Sequence, residues 1–106
     1  MLTIFKAVPT MTIAELKTSL KNRQMVLLDV RTIQEYRSGH IRGAKNVPLN
    51  RINTYQGDKE KLHLIICQSG MRSKQAAKFL QKQGYQVKNI RGGLNRWDGP
   101  LVGGKE

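Results

Sequence analysis

The amino-acid sequence predicts an α/β domain with a mostly parallel central sheet and helices on both of its faces. Two short apolar runs, at residues 25–30 and 63–67, have the hydrophobicity of strands that are covered on both sides, and residues 85–90 are predicted to form a third strand. Helical patterns separate these runs, and strands that alternate with helices at this spacing form parallel sheets. The chain has 106 residues, so we expect a single domain over residues 1–106.

The first helix is predicted from its amino-terminal capping signal. Thr12 and Glu15 have the spacing of a capping box, in which each side chain accepts a hydrogen bond from the other residue's backbone N–H. Ile13, Leu16 and Leu20 recur at helical spacing and mark the face that packs on the sheet. This helix precedes the apolar run at residues 25–30.

The second helix repeats the same signal at Thr32 and Glu35. It is predicted to be short, to run to about Ser38, and to have Gly39 as its C′ residue. Residues 44–48 are predicted to form a short strand or an extended stretch. Pro48 cannot donate to a sheet ladder, so a long central strand is excluded here.

The remaining elements complete the alternation. A brief helix is predicted over residues 49–55, and the strand at residues 63–67 follows a Gly-Asp turn. The third helix should extend over residues 73–83 and end at Gly84, with its apolar positions facing inward: Ala76, Ala77, Phe79 and Leu80. The last strand ends at a Gly-Gly pair, and residues 94–97 make at most one helical turn.

The loop after the second of these strands carries the most chemical information. Cys67 ends the strand, and a helix begins at Ser73, so the loop between them directs several backbone N–H groups toward one point. A thiol at such a point has a lowered pKa, because the thiolate is the stabilised form. Gly70 allows the loop to curl tightly, Ser73 can cap the helix, and Arg72 offers a planar fork to oxyanions. These features favour a nucleophilic cysteine over a buried core thiol.

Three motifs together resemble the single-domain rhodaneses, a family of sulfurtransferases. They are Leu-Asp-Val-Arg from Leu28 with Gly-His-Ile-Arg-Gly-Ala from Gly39, Cys-Gln-Ser-Gly-Met-Arg-Ser from Cys67, and Gly92-Gly93 with Trp97. The match extends over residues 12–97. It implies a three-layer rhodanese-like fold and a Cys67 nucleophile, with the loop residues Gln68, Ser69, Gly70, Met71, Arg72 and Ser73 binding the substrate and the persulfide.

The resemblance also implies a mechanism with two displacements. The Cys67 thiolate takes the sulfane sulfur of a small anionic donor, such as thiosulfate or a persulfide, and then passes it to a thiol or to cyanide. A sulfur-relay protein is a further candidate partner, and no metal or organic cofactor is required. Asp29 in this family helps to hold the active-site region, so we expect Asp29 and Arg31 to be supporting residues, with Arg31 paired to Glu35.

Two other functions on the same fold remain open at this point. One is a phosphatase or arsenate-reductase-like enzyme, although four residues separate Cys67 from Arg72, whereas the related dual-specificity phosphatases have five. The other is a non-catalytic binding module, although such modules often lack the cysteine. The shorter loop and the cysteine both favour sulfur transfer.

The composition limits the remaining classes of function. The chain has 19 Lys and Arg against seven Asp and Glu, yet it has no recognisable nucleic-acid motif and few aromatic residues for stacking. Its apolar runs are too short to cross a membrane, and it lacks a signal-type start, so we expect a cytoplasmic protein that binds neither nucleic acid nor membrane. No carboxylate lies between Glu60 and Asp98, and this acid-free run contains the cysteine loop.

Four further residues are candidates for the site. His40 is interpreted as a structural hydrogen-bonding residue, and His63 lies too far along its strand from Cys67 to form a dyad or a zinc site with it. Trp97 is expected to be a packing anchor rather than a stacking platform. The sequence does not decide the role of Arg42.

Overall fold

A five-stranded parallel sheet forms the centre of the computed structural model, which describes residues 6–22 and 24–105. Its strands are β1 (Thr10–Met11), β2 (Met25–Asp29), β3 (Lys45–Asn46), β4 (Leu62–Ile66) and β5 (Gln86–Ile90). They lie in the order β1-β5-β4-β2-β3, and each neighbouring pair in this order is parallel. β4 is therefore the middle strand, and the residue after it lies at the centre of the sheet's carboxyl edge.

Helices connect the strands and cover both faces of the sheet. They are α1 (Ile13–Ser19), α2 (Ile33–Ser38) and α3 (Met71–Lys82), with 3₁₀ helices at Leu49–Thr54 and Gly93–Arg96. Successive side chains of a strand point to opposite faces, so Leu64 and Ile65 of β4 enter different apolar clusters. The Ile65 cluster contains the inner side of α3, whereas the Leu64 cluster contains Leu16 of α1 and Tyr36 of α2. The predicted three-layer α/β fold is confirmed.

Both capping boxes are present as predicted. Thr12 and Glu15 exchange hydrogen bonds at the start of α1, with distances of 3.0 and 3.1 Å. Thr32 and Glu35 do the same at the start of α2, with distances of 3.1 and 3.2 Å. Local side-chain chemistry therefore fixes where these two helices begin.

Two predicted boundaries were wrong, and one strand was not predicted. α3 begins at Met71, with Gly70 as its N-cap, so Ser73 is an interior helical residue and does not cap the helix. Gly39 is the C-cap of α2 with an extended φ of 163°, rather than a C′ residue. The two-residue edge strand β1 was not predicted, because two residues are too few to produce an alternating hydrophobic pattern.

None of the helices in the described residues is long and apolar enough to cross a membrane.

Candidate active site

Cys67 follows β4 directly and lies at the centre of the sheet's carboxyl edge. Its side chain is buried, with 1% relative exposure, and it belongs to the apolar cluster beneath α3. The chain turns through Gln68, Ser69 and Gly70 before α3 begins at Met71. This is the edge at which open α/β sheets bind ligands.

Hydrogen bonds surround the sulfur atom on the side of the loop. The backbone N–H of Gly70 donates to Cys67 Sγ at 3.0 Å, and Cys67 Sγ lies 3.2 Å from Ser73 Oγ. Burial raises the pKa of the Cys67 thiol and is the largest single influence on it. The Ser73 hydroxyl and the backbone N–H groups of Ser73, Gly70 and Ser69 together outweigh burial, so the pKa lies below its ordinary value. A lowered pKa is what a nucleophilic thiol requires.

Asn89 extends this hydrogen-bonded system, and the sequence reasoning missed it. The Ser73 hydroxyl donates to Asn89 Oδ1 at 2.5 Å, and Asn89 Nδ2 donates to the Gly70 carbonyl at 3.2 Å. The second bond fixes the orientation of the amide, so its oxygen faces Ser73. When Cys67 is a thiol, it donates to the Ser73 hydroxyl, which in turn donates to Asn89 Oδ1. When Cys67 is ionised, it can only accept, so the Ser73 hydroxyl turns to donate to the sulfur. The sequence gives only a weak signal for Asn89, because β5 also contains the polar residues Gln86 and Lys88.

The base of the loop is hydrogen-bonded to the 3₁₀ helix at Gly93–Arg96. The N–H of Leu94 donates to the Cys67 carbonyl and that of Asn95 to the Gln68 carbonyl, both at 2.9 Å. Gly93 makes this approach possible, because a Cβ there would lie 2.3 Å from the Cys67 carbonyl oxygen and its φ is +58°. The predicted Gly-Gly motif therefore acts as a support for the loop that bears the cysteine.

Arg72 is paired with Glu35, and the Cys67 thiolate also favours its positive charge. Its two Nη atoms donate to the two carboxylate oxygens of Glu35 at 2.7 and 2.9 Å. The hydrogen bond from Arg72 lowers the pKa of Glu35 to about 2, despite the opposing effect of burial. This contact joins the start of α3 to the start of α2. The expectation that Glu35 pairs with Arg31 was therefore wrong.

Arg31 instead pairs with Asp29 beneath the loop. Asp29 accepts hydrogen bonds from the Arg31 backbone N–H, Nε and Nη2, the last at 2.8 Å, and both side chains are buried. Arg31 also donates to the Gly39 carbonyl at 2.7 Å and to Gln68 Oε1 at 3.4 Å. Gln68 in turn donates to Asn95 Oδ1 at 2.7 Å. The pair links the end of β2 to the first residue after Cys67, an arrangement that supports the loop.

The other candidates lie outside this cluster. His40 is fully buried, stacks on Tyr36 with ring centroids 3.6 Å apart, and has its Nδ1 2.7 Å from the Tyr36 carbonyl oxygen. His63 is also fully buried and forms a hydrogen bond with the Tyr55 hydroxyl at 2.8 Å. Within the described ranges, no group of three or more His, Cys, Asp and Glu side chains is placed to hold a metal ion.

Trp97 and Arg42 are also accounted for by their surroundings. Trp97 packs against the apolar cluster under α1 and donates from its indole N–H to the Pro100 carbonyl, which is the contact pattern of a packing anchor. Arg42 is exposed and lines a cleft together with Met25, the first residue of β2. Cys67 follows the last residue of the neighbouring parallel strand, so Arg42 lies toward the opposite edge of the sheet.

Comparison with known proteins gives consistent relatives. The family model described as a Rhodanese-like domain matches residues 12–99. A sulfurtransferase of Allochromatium vinosum is 38% identical over 76 residues, which are 69% of this chain and 71% of that protein. The thiosulfate sulfurtransferase GlpE of Coxiella burnetii is 33% identical over 81 residues, which are 74% of this chain and 76% of that protein.

Solved structures give the same picture. A rhodanese-related protein from Thermoplasma volcanium superimposes with a TM-score of 0.81 at 27% identity, covering 89% of this chain and 97% of that one. A Rhodopseudomonas palustris protein of unknown function, described as a "possible tyrosine phosphatase", superimposes with a TM-score of 0.77 at 26% identity. That alignment covers 85% of this chain and 79% of that one.

Proposed function

Because this chain belongs to the family of rhodanese-like domains, we propose that it is a sulfurtransferase that carries sulfane sulfur as a persulfide on Cys67. The observation that carries the proposal is the environment of Cys67 Sγ. A buried sulfur atom that accepts the Gly70 N–H at 3.0 Å and lies 3.2 Å from Ser73 Oγ is stabilised as a thiolate. A thiolate is the form that attacks sulfur.

The proposed reaction has two steps. The Cys67 thiolate attacks the outer sulfur of thiosulfate, the S–S bond of the donor breaks, and sulfite leaves with the bonding electron pair. The terminal sulfur of the resulting persulfide is anionic, and the N–H groups of Ser69 and Gly70 are the donors available to it. A thiolate or cyanide then attacks that terminal sulfur, and Cys67 leaves as the thiolate. No proton donor is needed in either displacement.

The supporting residues have a defined part in this proposal. Asp29 pairs with Arg31, which donates a hydrogen bond to Gln68. Gly93 allows the 3₁₀ helix to approach the carbonyl groups of the loop. Glu35 pairs with Arg72 near the start of α3. None of them transfers a proton. Their role is to hold the N–H groups at the positions where the negative charge develops.

The experiment that tests the function is a thiosulfate:cyanide transfer assay combined with intact mass measurement. The wild type should form thiocyanate and, after thiosulfate treatment alone, should gain one sulfur atom, about 32 Da, on its single thiol. Cys67→Ala should do neither. A wild type that gains no sulfur from thiosulfate or from a small persulfide donor would overturn the proposal.

A phosphatase is the second candidate function, since one solved relative carries that description. Two features of this chain oppose it. The loop has four residues between Cys67 and Arg72, one fewer than in the dual-specificity phosphatases, and the Arg72 guanidinium is already paired with the Glu35 carboxylate. Hydrolysis of p-nitrophenyl phosphate that depends on Cys67 would establish this candidate instead.

A further inference from the structure

A basic cleft lies directly beside the loop that bears Cys67. It has a volume of about 480 Å³ and shares Ser69 and Gly70 with the loop. Its other walls come from α3, from the end of β5 and from the segment that precedes β1. Thiosulfate has only five heavy atoms, so the cleft is much larger than the small donor in the assay above requires.

The lining of the cleft combines cationic and apolar side chains. Lys74, Lys78 and Arg91 supply the charge, and none of the cleft's described lining residues is acidic. Ala7, Val8 and Met71 supply the apolar surface. Glu15 on α1 is close enough to Arg91 to be stabilised by its charge, but it does not line the cleft. The local charge is therefore complementary to an acidic occupant.

Met71 marks the rim of this cleft as a contact surface. It is the first residue of α3, and its side chain is 70% exposed, the highest value among the exposed large hydrophobic residues of the described chain. Methionine is enriched at protein interfaces, where its flexible side chain adapts to a partner. An exposed apolar side chain beside a row of lysines is the composition of a protein-docking surface rather than of a site for a small anion.

The spacing of the lysines indicates the conformation of the occupant. Lys74 and Lys78 are four residues apart on α3, which places them on the same side of the helix and about 6 Å apart along its axis. In an extended chain, residues two apart point to the same side and are separated by about 6.6 Å. Two carboxylates in alternate positions of an extended segment therefore match the two ammonium groups.

We propose that this cleft docks an extended acidic segment of a partner protein whose cysteine accepts the sulfur from Cys67. The proposal rests on the sulfurtransferase function proposed above. The partner's thiolate attacks the terminal sulfur of the Cys67 persulfide, the S–S bond at Cys67 breaks, and Cys67 leaves as the thiolate while the partner keeps the persulfide. The 1% exposure of Cys67 requires an acceptor that is narrow enough to reach into the loop, as the end of an extended segment is.

The test uses fluorescein-labelled peptides with the unmodified protein. The probe is Glu-Ala-Glu-Ala-Cys, and its controls are Gln-Ala-Gln-Ala-Cys and the isomer Glu-Glu-Ala-Ala-Cys, which has equal charge but adjacent carboxylates. Binding is measured by anisotropy with the peptide thiol blocked, so this readout does not depend on sulfur transfer. Transfer from the persulfidated protein to the free peptide thiol is measured separately by mass.

Two double variants separate the cleft from general charge. Lys74→Gln with Lys78→Gln should weaken binding of the alternating peptide by about fivefold to tenfold, a change that corresponds to two exposed ion pairs. Lys21→Gln with Lys61→Gln removes the same charge from exposed residues that do not line the cleft, and should change binding by less than about twofold.

Several outcomes would overturn the proposal. These are equal binding of the glutamine and glutamate peptides, equal binding of the two acidic isomers, or equal losses in the two double variants. Tighter binding of a single-stranded oligonucleotide of the same charge, dependent on Lys74 and Lys78, would assign the cleft to nucleic acid instead. If binding follows the prediction but Cys67 takes up no sulfur, the docking surface stands and the sulfurtransferase function fails.

Discussion

Removal of the Ser73 hydroxyl should change the pH dependence of sulfur transfer in a distinctive way. Ser73 Oγ lies 3.2 Å from the Cys67 sulfur, and its hydrogen bond is the strongest of the influences that lower the thiol's pKa. A hydrogen bond to a charged group contributes about 1.5–3 kcal/mol, so Ser73→Ala should reduce the thiolate fraction about 13-fold to 160-fold at a pH below the thiol's pKa. A more basic thiolate is also a better nucleophile, which recovers nearly half of this loss on a logarithmic scale.

The net effect is a loss of about fourfold to fifteenfold in the rate of persulfide formation below the pKa. Above the pKa both proteins are thiolates, so the variant should there equal or exceed the wild type. The measurement is the single-turnover rate with thiosulfate between pH 5 and pH 10. Ser69→Ala is the control, because Ser69 contributes only its backbone N–H and should keep the wild-type profile. A variant that is slower by the same factor at every pH would refute the reasoning.

Three further predictions concern the supports of the site. Asp29→Ala leaves the buried Arg31 without its carboxylate and should lower the free energy of unfolding, measured with denaturant, by about 3–5 kcal/mol. A decrease below about 1 kcal/mol is typical of an exposed ion pair and would contradict this prediction. Gly93→Ala should cost at least about 2 kcal/mol of stability and most of the transfer activity, since a Cβ would meet the Cys67 carbonyl oxygen at 2.3 Å; retention of both would contradict this geometry. Burial lowers the pKa of His63, so the folded state favours its neutral form, and its contribution is complete above about pH 6.5 and declines below. The stability difference between wild type and His63→Gln should therefore shrink from pH 7.5 to pH 5.5, and a constant difference would contradict this.

The elements that the sequence predicted well are those with strong local signals. The capping boxes at Thr12 and Thr32 determine where α1 and α2 begin, and each depends on residues only three positions apart. The central strand is apolar along its length because it is covered on both faces. β1 had no comparable signal, since it exists only because its backbone pairs with β5.

In the site too, features set by neighbouring residues in the sequence could be predicted, whereas contacts between distant residues could not. The loop from Cys67 into α3 could be predicted because a strand end, a glycine and a helix start are contiguous in the sequence. The contact of Asn89 with Ser73 and that of Glu35 with Arg72 could not, because they join residues that are 16 and 37 positions apart. The sequence predicts an oxyanion fork at Arg72 but does not reveal its partner Glu35, whose carboxylate accepts one hydrogen bond from each Nη atom. Side chains that meet across a sheet are specified by topology, and a single sequence does not reveal such pairs.

The central claim is that Cys67 carries sulfur as a persulfide. The most direct measurement is the intact mass of the protein after thiosulfate treatment, followed by a second measurement after addition of cyanide. The account predicts a gain of about 32 Da that disappears with cyanide as stoichiometric thiocyanate forms, and no gain in Cys67→Ala. A wild type that keeps its original mass, or a gain that persists in Cys67→Ala, would contradict it.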